Sequence, residues 1–170
     1  MQRGLLPVDR KATLLPPQDF TSEETRDYLR ISVGDTLPVG PVGTPWGDDK
    51  VVGAAQIASE FGEQWKALDL TRVTVRPHEA GGRPRPDELF YEIHTRNGSR
   101  ILWGHSGGYE RPTEAKGADK VERLTRFFRE RKLRTGETLE IDVQARSGLA
   151  VVPLAAGTPS SRPISTGSDP

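Results

Sequence analysis

Gly104-His105-Ser106-Gly107-Gly108 is the stretch whose residue types come nearest to a catalytic pattern. It fits G-x-S-x-G, in which a serine on a sharp strand-to-helix turn acts as nucleophile. That chemistry needs a histidine base further along the chain, and no histidine follows His105. It also needs a helix directly after the serine, whereas Tyr109–Thr113 contains Pro112 and reads as loop. A small serine hydrolase using Ser106, with His105 beside it, is therefore the enzymatic alternative and not the main reading. His78, His94 and His105 are the only histidines. Zinc needs three or four converging ligands, and no cysteine or carboxylate pattern supports these three. Asp48-Asp49 and Glu23-Glu24 are adjacent carboxylates, a spacing that suits helix capping better than acid–base chemistry. No phosphate-binding loop or dinucleotide glycine fingerprint is present. The expectation is no catalytic residue, no cofactor and no metal.

The elements that would position such residues centre on Asp87–Ser106. Leu89, Tyr91, Ile93 and Thr95 share one face at period two, and Asn97-Gly98 suits a two-residue type I′ turn. That turn sets Ile93 opposite Leu102, Glu92 opposite Trp103 and His94 opposite Ile101. Before the hairpin, 51–68 reads as a helix capped by Asp48 or Asp49. Val51, Ala54, Ala58, Phe61, Trp65 and Leu68 form its apolar stripe. Arg72–Arg76 follows as a strand with Val73 and Val75 inward, and His78–Pro86 as a polar loop. After the hairpin, Asp119 and Glu122 match a capping box for a helix from Asp119 to Arg131, with Val121, Leu124, Phe127 and Phe128 on its apolar side. Leu139–Gln144 alternates as a half-buried strand, and Leu149–Leu154 is a last short strand weakened by Pro153.

Residues 1–50 read as a lead-in. Leu5–Val8 and Thr13–Leu15 are short extended pieces around a turn at Asp9-Arg10-Lys11. Thr21 to Glu24 could cap a single helical turn, and Tyr28–Ile31 could be a short strand. A Pro/Gly-rich loop follows, anchored by Trp46. Residues 155–170 have the composition of a disordered tail. From Val51 the order is α-β-β-β-α-β-β, which predicts an α+β fold: a mostly antiparallel sheet with two helices on one face.

Lys plus Arg and Asp plus Glu number 24 each, so net charge is zero. That argues against broad electrostatic binding to nucleic acid or to an anionic membrane. The basic run from Arg126 to Arg134 is diluted by Glu122 and Glu130 and suits a helix C-terminus. Without cysteine there are no disulfides. The chain has no run of about 18 apolar residues, the length a bilayer-spanning helix needs, and the N-terminus lacks a signal-peptide core. These residues are expected either to be cytoplasmic, a globular domain of unassigned role, or to be the soluble part of something longer.

From Val51 to Leu154 the order of motifs resembles the extracytoplasmic β domain of the bacterial cell-division family FtsQ/DivIB. The alanine-rich helix runs into the strand Val73–Val75. Asn97-Gly98-Ser99-Arg100-Ile101-Leu102-Trp103-Gly104 is similar to the family's Asp/Asn-Gly-x-Arg-Val-x-Leu-Gly return strand. Lys120 precedes Val121-Glu122-Arg123-Leu124, and Ile141-Asp142-Val143 is similar to the family's Ile-Asp-Leu-Arg strand. Val8-Asp9-Arg10 and Leu14-Leu15-Pro16 resemble the segment preceding that domain, the end of a POTRA-like unit. Trp103 stands where the family has an aliphatic residue, and Gln144 where an arginine often follows. The resemblance implies a non-enzymatic scaffold in septum assembly, at the outer side of the cell membrane and attached through an anchor absent from this chain. Its implied partners are FtsB- and FtsL-like division proteins, engaged by edge-strand pairing. The candidate edge is the last strand pair: Leu139, Glu140, Ile141, Asp142 and Val143 with Leu149 and Val151.

Overall fold

Asp48 starts the first long helix by accepting a hydrogen bond from the Lys50 N–H at 2.9 Å. The helix α1 runs Asp49–Phe61 and stops at Gly62, whose φ of 56° a residue with a side chain adopts only with strain. A single turn, α2 (Gln64–Ala67), follows, so the helix expected over 51–68 is broken in two. The computed structural model describes residues 6–76, 82–131 and 137–154. It contains strands β1 (Arg30–Ser32), β2 (Leu70–Val75), β3 (Tyr91–Thr95), β4 (Arg100–Gly104), β5 (Leu139–Asp142) and β6 (Ala150–Pro153), with α3 (Gly117–Glu130) between β4 and β5.

All six strands form one sheet in sequence order, an α+β fold. The sheet is mixed and not mostly antiparallel. β1 pairs with β2, and β4 with β5, in parallel, while the other three pairs are antiparallel. The reason lies in the connections. A helix between two adjacent strands carries the chain back to its starting end, so the second strand runs parallel to the first. α1 and α2 do this between β1 and β2, and α3 does it between β4 and β5. The sheet thus contains the same β-α-β-β order twice, β1 to β3 and β4 to β6.

The central hairpin departs from its expected register by one residue. Ile93 faces Ile101, not Leu102; Glu92 faces Leu102, not Trp103; and His94 faces Arg100, not Ile101. The cause is the turn. Only Gly98 has positive φ, at 89°, so the connection is a three-residue loop and not a type I′ turn. Asn97 stabilises it by accepting from the Ser99 N–H at 3.0 Å and the Thr95 hydroxyl at 2.5 Å. The Thr95 N–H in turn donates to the Ser99 carbonyl at 3.0 Å. A bulge between the Glu92–Leu102 and Tyr91–Gly104 pairs then absorbs one residue of β4.

The core is continuous from the lead-in through the sheet. Ala12, Leu14, Val33 and Trp46 are buried with Tyr91, Ile93, Ile101, Trp103, Leu124, Leu139 and Ile141. The lead-in is stitched to the loop before α1 by backbone hydrogen bonds from Trp46 N–H to Ala12 and from Leu14 N–H to Thr44. The Trp46 ring nitrogen donates to the Thr36 hydroxyl. Thr21 and Glu24 form a reciprocal capping box on the single turn Glu24–Asp27. The second expected capping box does not form. α3 begins at Gly117, with Lys116 at its cap and Asp119 inside its first turn. The expected tail, 155–170, lies outside the described residues.

Gly53 lets α1 lie directly on the sheet. A Cβ there would overlap the Tyr91 hydroxyl, which donates to the Asp49 carbonyl at 3.2 Å and lies 3.3 Å from that of Lys50. Gly53→Ala gains about 1 kcal/mol of helix propensity but overpacks the contact, which costs about 1–3 kcal/mol. The expected outcome is a net loss of stability in urea denaturation. The loss should shrink but persist when Gly53→Ala is placed in a Tyr91→Phe background, which removes the overlapped oxygen and leaves the ring carbon 2.6 Å from the added Cβ.

Candidate functional site

β6 ends the sheet, and β5 lies inside it between β4 and β6. Of the residues expected to form a partner-binding edge, Leu139, Ile141 and Val143 are fully buried. Glu140 and Asp142 are half-buried on the other face of β5, and Glu140 pairs with Arg100. Leu149 and Val151 are half-buried and pack against the core. Ala150, Val152 and Pro153 are exposed. The Leu154 N–H donates to the Thr138 carbonyl at 2.9 Å. Alternation along an antiparallel pair then makes Val152–Glu140 and Ala150–Asp142 the hydrogen-bonded pairs. The N–H and C=O of Val151 therefore point away from β5, to the outer side of β6. Pro153 occupies the next such position and has no N–H to offer.

The most elaborate polar arrangement is one the sequence reading did not find. Glu114 is buried at the far end of β4, in the loop before α3. Its Oε1 accepts from Lys120 Nζ at 2.6 Å and from the His105 N–H at 2.9 Å. Its Oε2 lies 2.7 Å from His105 Nδ1 and 3.3 Å from the Arg111 N–H. Lys120 is completely buried and sits over the Trp103 ring, 4.9 Å from its centre. Burial pushes the Glu114 carboxyl up, but the hydrogen bonds from Lys120 and His105 outweigh it and hold the group below its ordinary value. A signal was present: Lys120 lies four and seven residues before Leu124 and Phe127, on the apolar stripe of its helix.

Glu60 on α1 shows the opposite behaviour. Burial, then the charge of Glu110, raises its carboxyl, while Lys120 opposes them. Its Oε2 is buried without a hydrogen-bond partner, the only such side-chain atom among the described residues. The carboxylate lies against Gly117, where any Cβ would overlap it.

Ser106 is buried beside Gly53 and Tyr91, and the next helix begins only at Gly117. The His105 ring is committed to Glu114 and packs edge-on to Phe90. His94 Nε2 lies 3.0 Å from the Thr74 hydroxyl. Burial, then Arg72 and Arg100, lowers its pKa against the pull of Glu92. His78 lies outside the described residues. Among the described residues, no group of three or more His, Asp or Glu is placed to hold a metal. No helix among them is long and apolar enough to cross a membrane. Neither a scan against protein-family models nor a search of curated proteins finds a match to this chain.

The two carboxylates, Glu114 buried and Glu60 half-buried, make opposite predictions. Glu114 has a lowered folded-state pKa, so its contribution is complete above the unfolded-state value and is lost as pH falls through the folded one. Glu60 has a raised one, so its contribution is complete below the unfolded-state value and is lost as pH rises through the folded one. Glu114→Gln should lose about 3 kcal/mol or more at pH 7, because Lys120 is left buried without its counter-charge. That deficit should shrink on acidification. Glu60→Gln should be more stable than the parent at pH 7, with the difference vanishing in acid. Denaturant titrations from pH 3 to pH 8 check both signs.

Proposed function

We propose that this chain is a non-enzymatic protein-interaction domain of the FtsQ/DivIB type, acting in septum assembly at the outer side of the cell membrane. Its partners are membrane division proteins like FtsB and FtsL, and it captures an extended segment of one of them along β6. The observation that carries this is the outer side of β6, where Val151 presents an N–H and C=O that have no partner among the described residues, next to a continuous core. An added strand would extend the sheet, and its side chains next to Val151 and Leu149 would extend the core. The segments behind the family resemblance lie on α1, β2, β4, α3 and β5.

The same reading places α1 and α3 on one face of the sheet. Both crossovers run in the same sense along the sheet and between strands of the same direction. Right-handed connections, which such units strongly favour, then put both helices on one side. Phe61 of α1 packs on Trp103 at 5.2 Å between ring centres, and Lys120 of α3 sits over the same ring.

A titration of the labelled domain with the extracytoplasmic segment of an FtsB-like protein from the same genome tests the reading. Amide shifts should concentrate in residues 149–154, with smaller shifts in β5. Val151→Pro removes the outward N–H without touching a bond to β5, so the fold should persist. Partner affinity should fall by about tenfold or more. Unchanged affinity in Val151→Pro would exclude pairing at β6.

A further inference from the structure

Arg30, Arg72, His94 and Arg100 form one row across four strands. Arg30 is opposite Arg72, Arg72 opposite His94, and His94 opposite Arg100. Opposed residues share a face, and neighbouring strands lie about 4.8 Å apart, so these side chains stand side by side. Like charges placed directly opposite destabilise a sheet.

The repeated β-α-β-β order supplies an internal comparison. Arg100 holds the place in the second unit that Arg30 holds in the first, and Glu140 the place of Arg72. In the second unit the parallel pair is an arginine with a carboxylate, and Arg100 grips Glu140 through both Nε and Nη2. In the first unit the pair is two arginines. Both are exposed, and among the described residues no carboxylate lies within ion-pair distance of either. Glu92, one row along on the same face, is taken by Arg76. Among the described residues nothing compensates the Arg30–Arg72 pair, and a rule broken locally without compensation points to a task outside the fold.

We propose that Arg30 and Arg72, with His94 beside them, form a docking site for an acidic segment of a partner protein, each guanidinium gripping a side-chain carboxylate. This site works through side-chain charge at the β1 end of the sheet and does not depend on strand addition at β6. Guanidinium forks match planar carboxylates, and two neighbouring forks favour a ligand with several acids close together. A membrane surface fits less well. The same face carries Glu92, Glu140 and Asp142, which a flat anionic surface would meet together with the arginines. A short peptide can cover the Arg30–Arg72 end and avoid those acids. The zero net charge gives no long-range attraction to an extended polyanion.

The test is an NMR titration of the whole chain with a short peptide of alternating glutamate and serine. A lysine-and-serine peptide and phosphatidylglycerol vesicles serve as the other arms. Expected are amide shifts at Arg30, Arg72 and His94 with the acidic peptide alone, weakening as salt is raised. Arg30→Gln with Arg72→Gln should lower that affinity by about tenfold or more. It should leave the response of β6 to its own partner unchanged, and the double variant should melt no lower than the parent, because a like-charge pair has been relieved. Shifts away from the row, an affinity that ignores the double substitution, no binding at millimolar peptide, or binding to vesicles alone would each overturn the proposal.

Discussion

A charged carboxylate in the interior is costly without partners, and Glu114 is where this fold meets that constraint. An uncompensated charge in the interior costs several kcal/mol, so the groups around it are fixed together or not at all. Glu114 ties the backbone after β4, through the His105 N–H, to α3, through Lys120. Gly104 ends β4 with a φ of 92°, and a Cβ there would overlap the Glu114 carboxylate. Only glycine meets both demands. The end of β4, the following loop and the start of α3 are thereby held in one arrangement. Trp103 lies under the ammonium group and against Phe61, which links the same point to α1.

From that junction the topology follows. α3 returns the chain to the starting end of β4, so β5 runs parallel beside it and β6 turns back antiparallel. The first half of the chain does the same with β1, α1, β2 and β3. Two such units joined at β3 and β4 leave β1 and β6 as the outer strands among the described residues. The two ends differ chemically. β6 is short and mostly apolar, and it carries Pro153 at an outward position, a common guard against uncontrolled pairing. β1 is short and carries Arg30 beside the unmatched Arg72. One end therefore suits backbone pairing over a narrow window, and the other suits charge.

Features governed by neighbours in sequence were legible. Asp48 caps α1, Thr21 and Glu24 satisfy one another, and Asp9 holds its turn by accepting from Lys11 and Thr13. Each needs only groups a few residues apart. The hairpin was legible as a hairpin but not in its register. Asn97 tolerates positive φ, yet its side chain gained more by accepting from Ser99 and Thr95 in a three-residue loop. The Asp119 and Glu122 spacing is that of a capping box, but α3 starts earlier, at Gly117, against the carboxylate of Glu60. The mixed sheet was missed although Tyr28–Ile31, the return strand of the hairpin, the second helix and Leu139–Gln144 were each read as elements, because which strands pair, and in which direction, is set by contacts between residues far apart in the chain.

The amino-acid sequence by itself determined the α+β class, the existence of the helices and strands after Val51, and the capped turns. Those depend on hydrophobic periodicity and on short-range hydrogen bonds. Only the tertiary structure decided which strands run parallel, which strand is the open edge, and which charges are paired. Glu114 meets Lys120 on α3, Arg100 meets Glu140 forty residues away in the chain, and Arg72 meets Arg30 with no acid of the described residues in ion-pair reach. Residue types allow many such pairings at these distances, and strand order and register select among them.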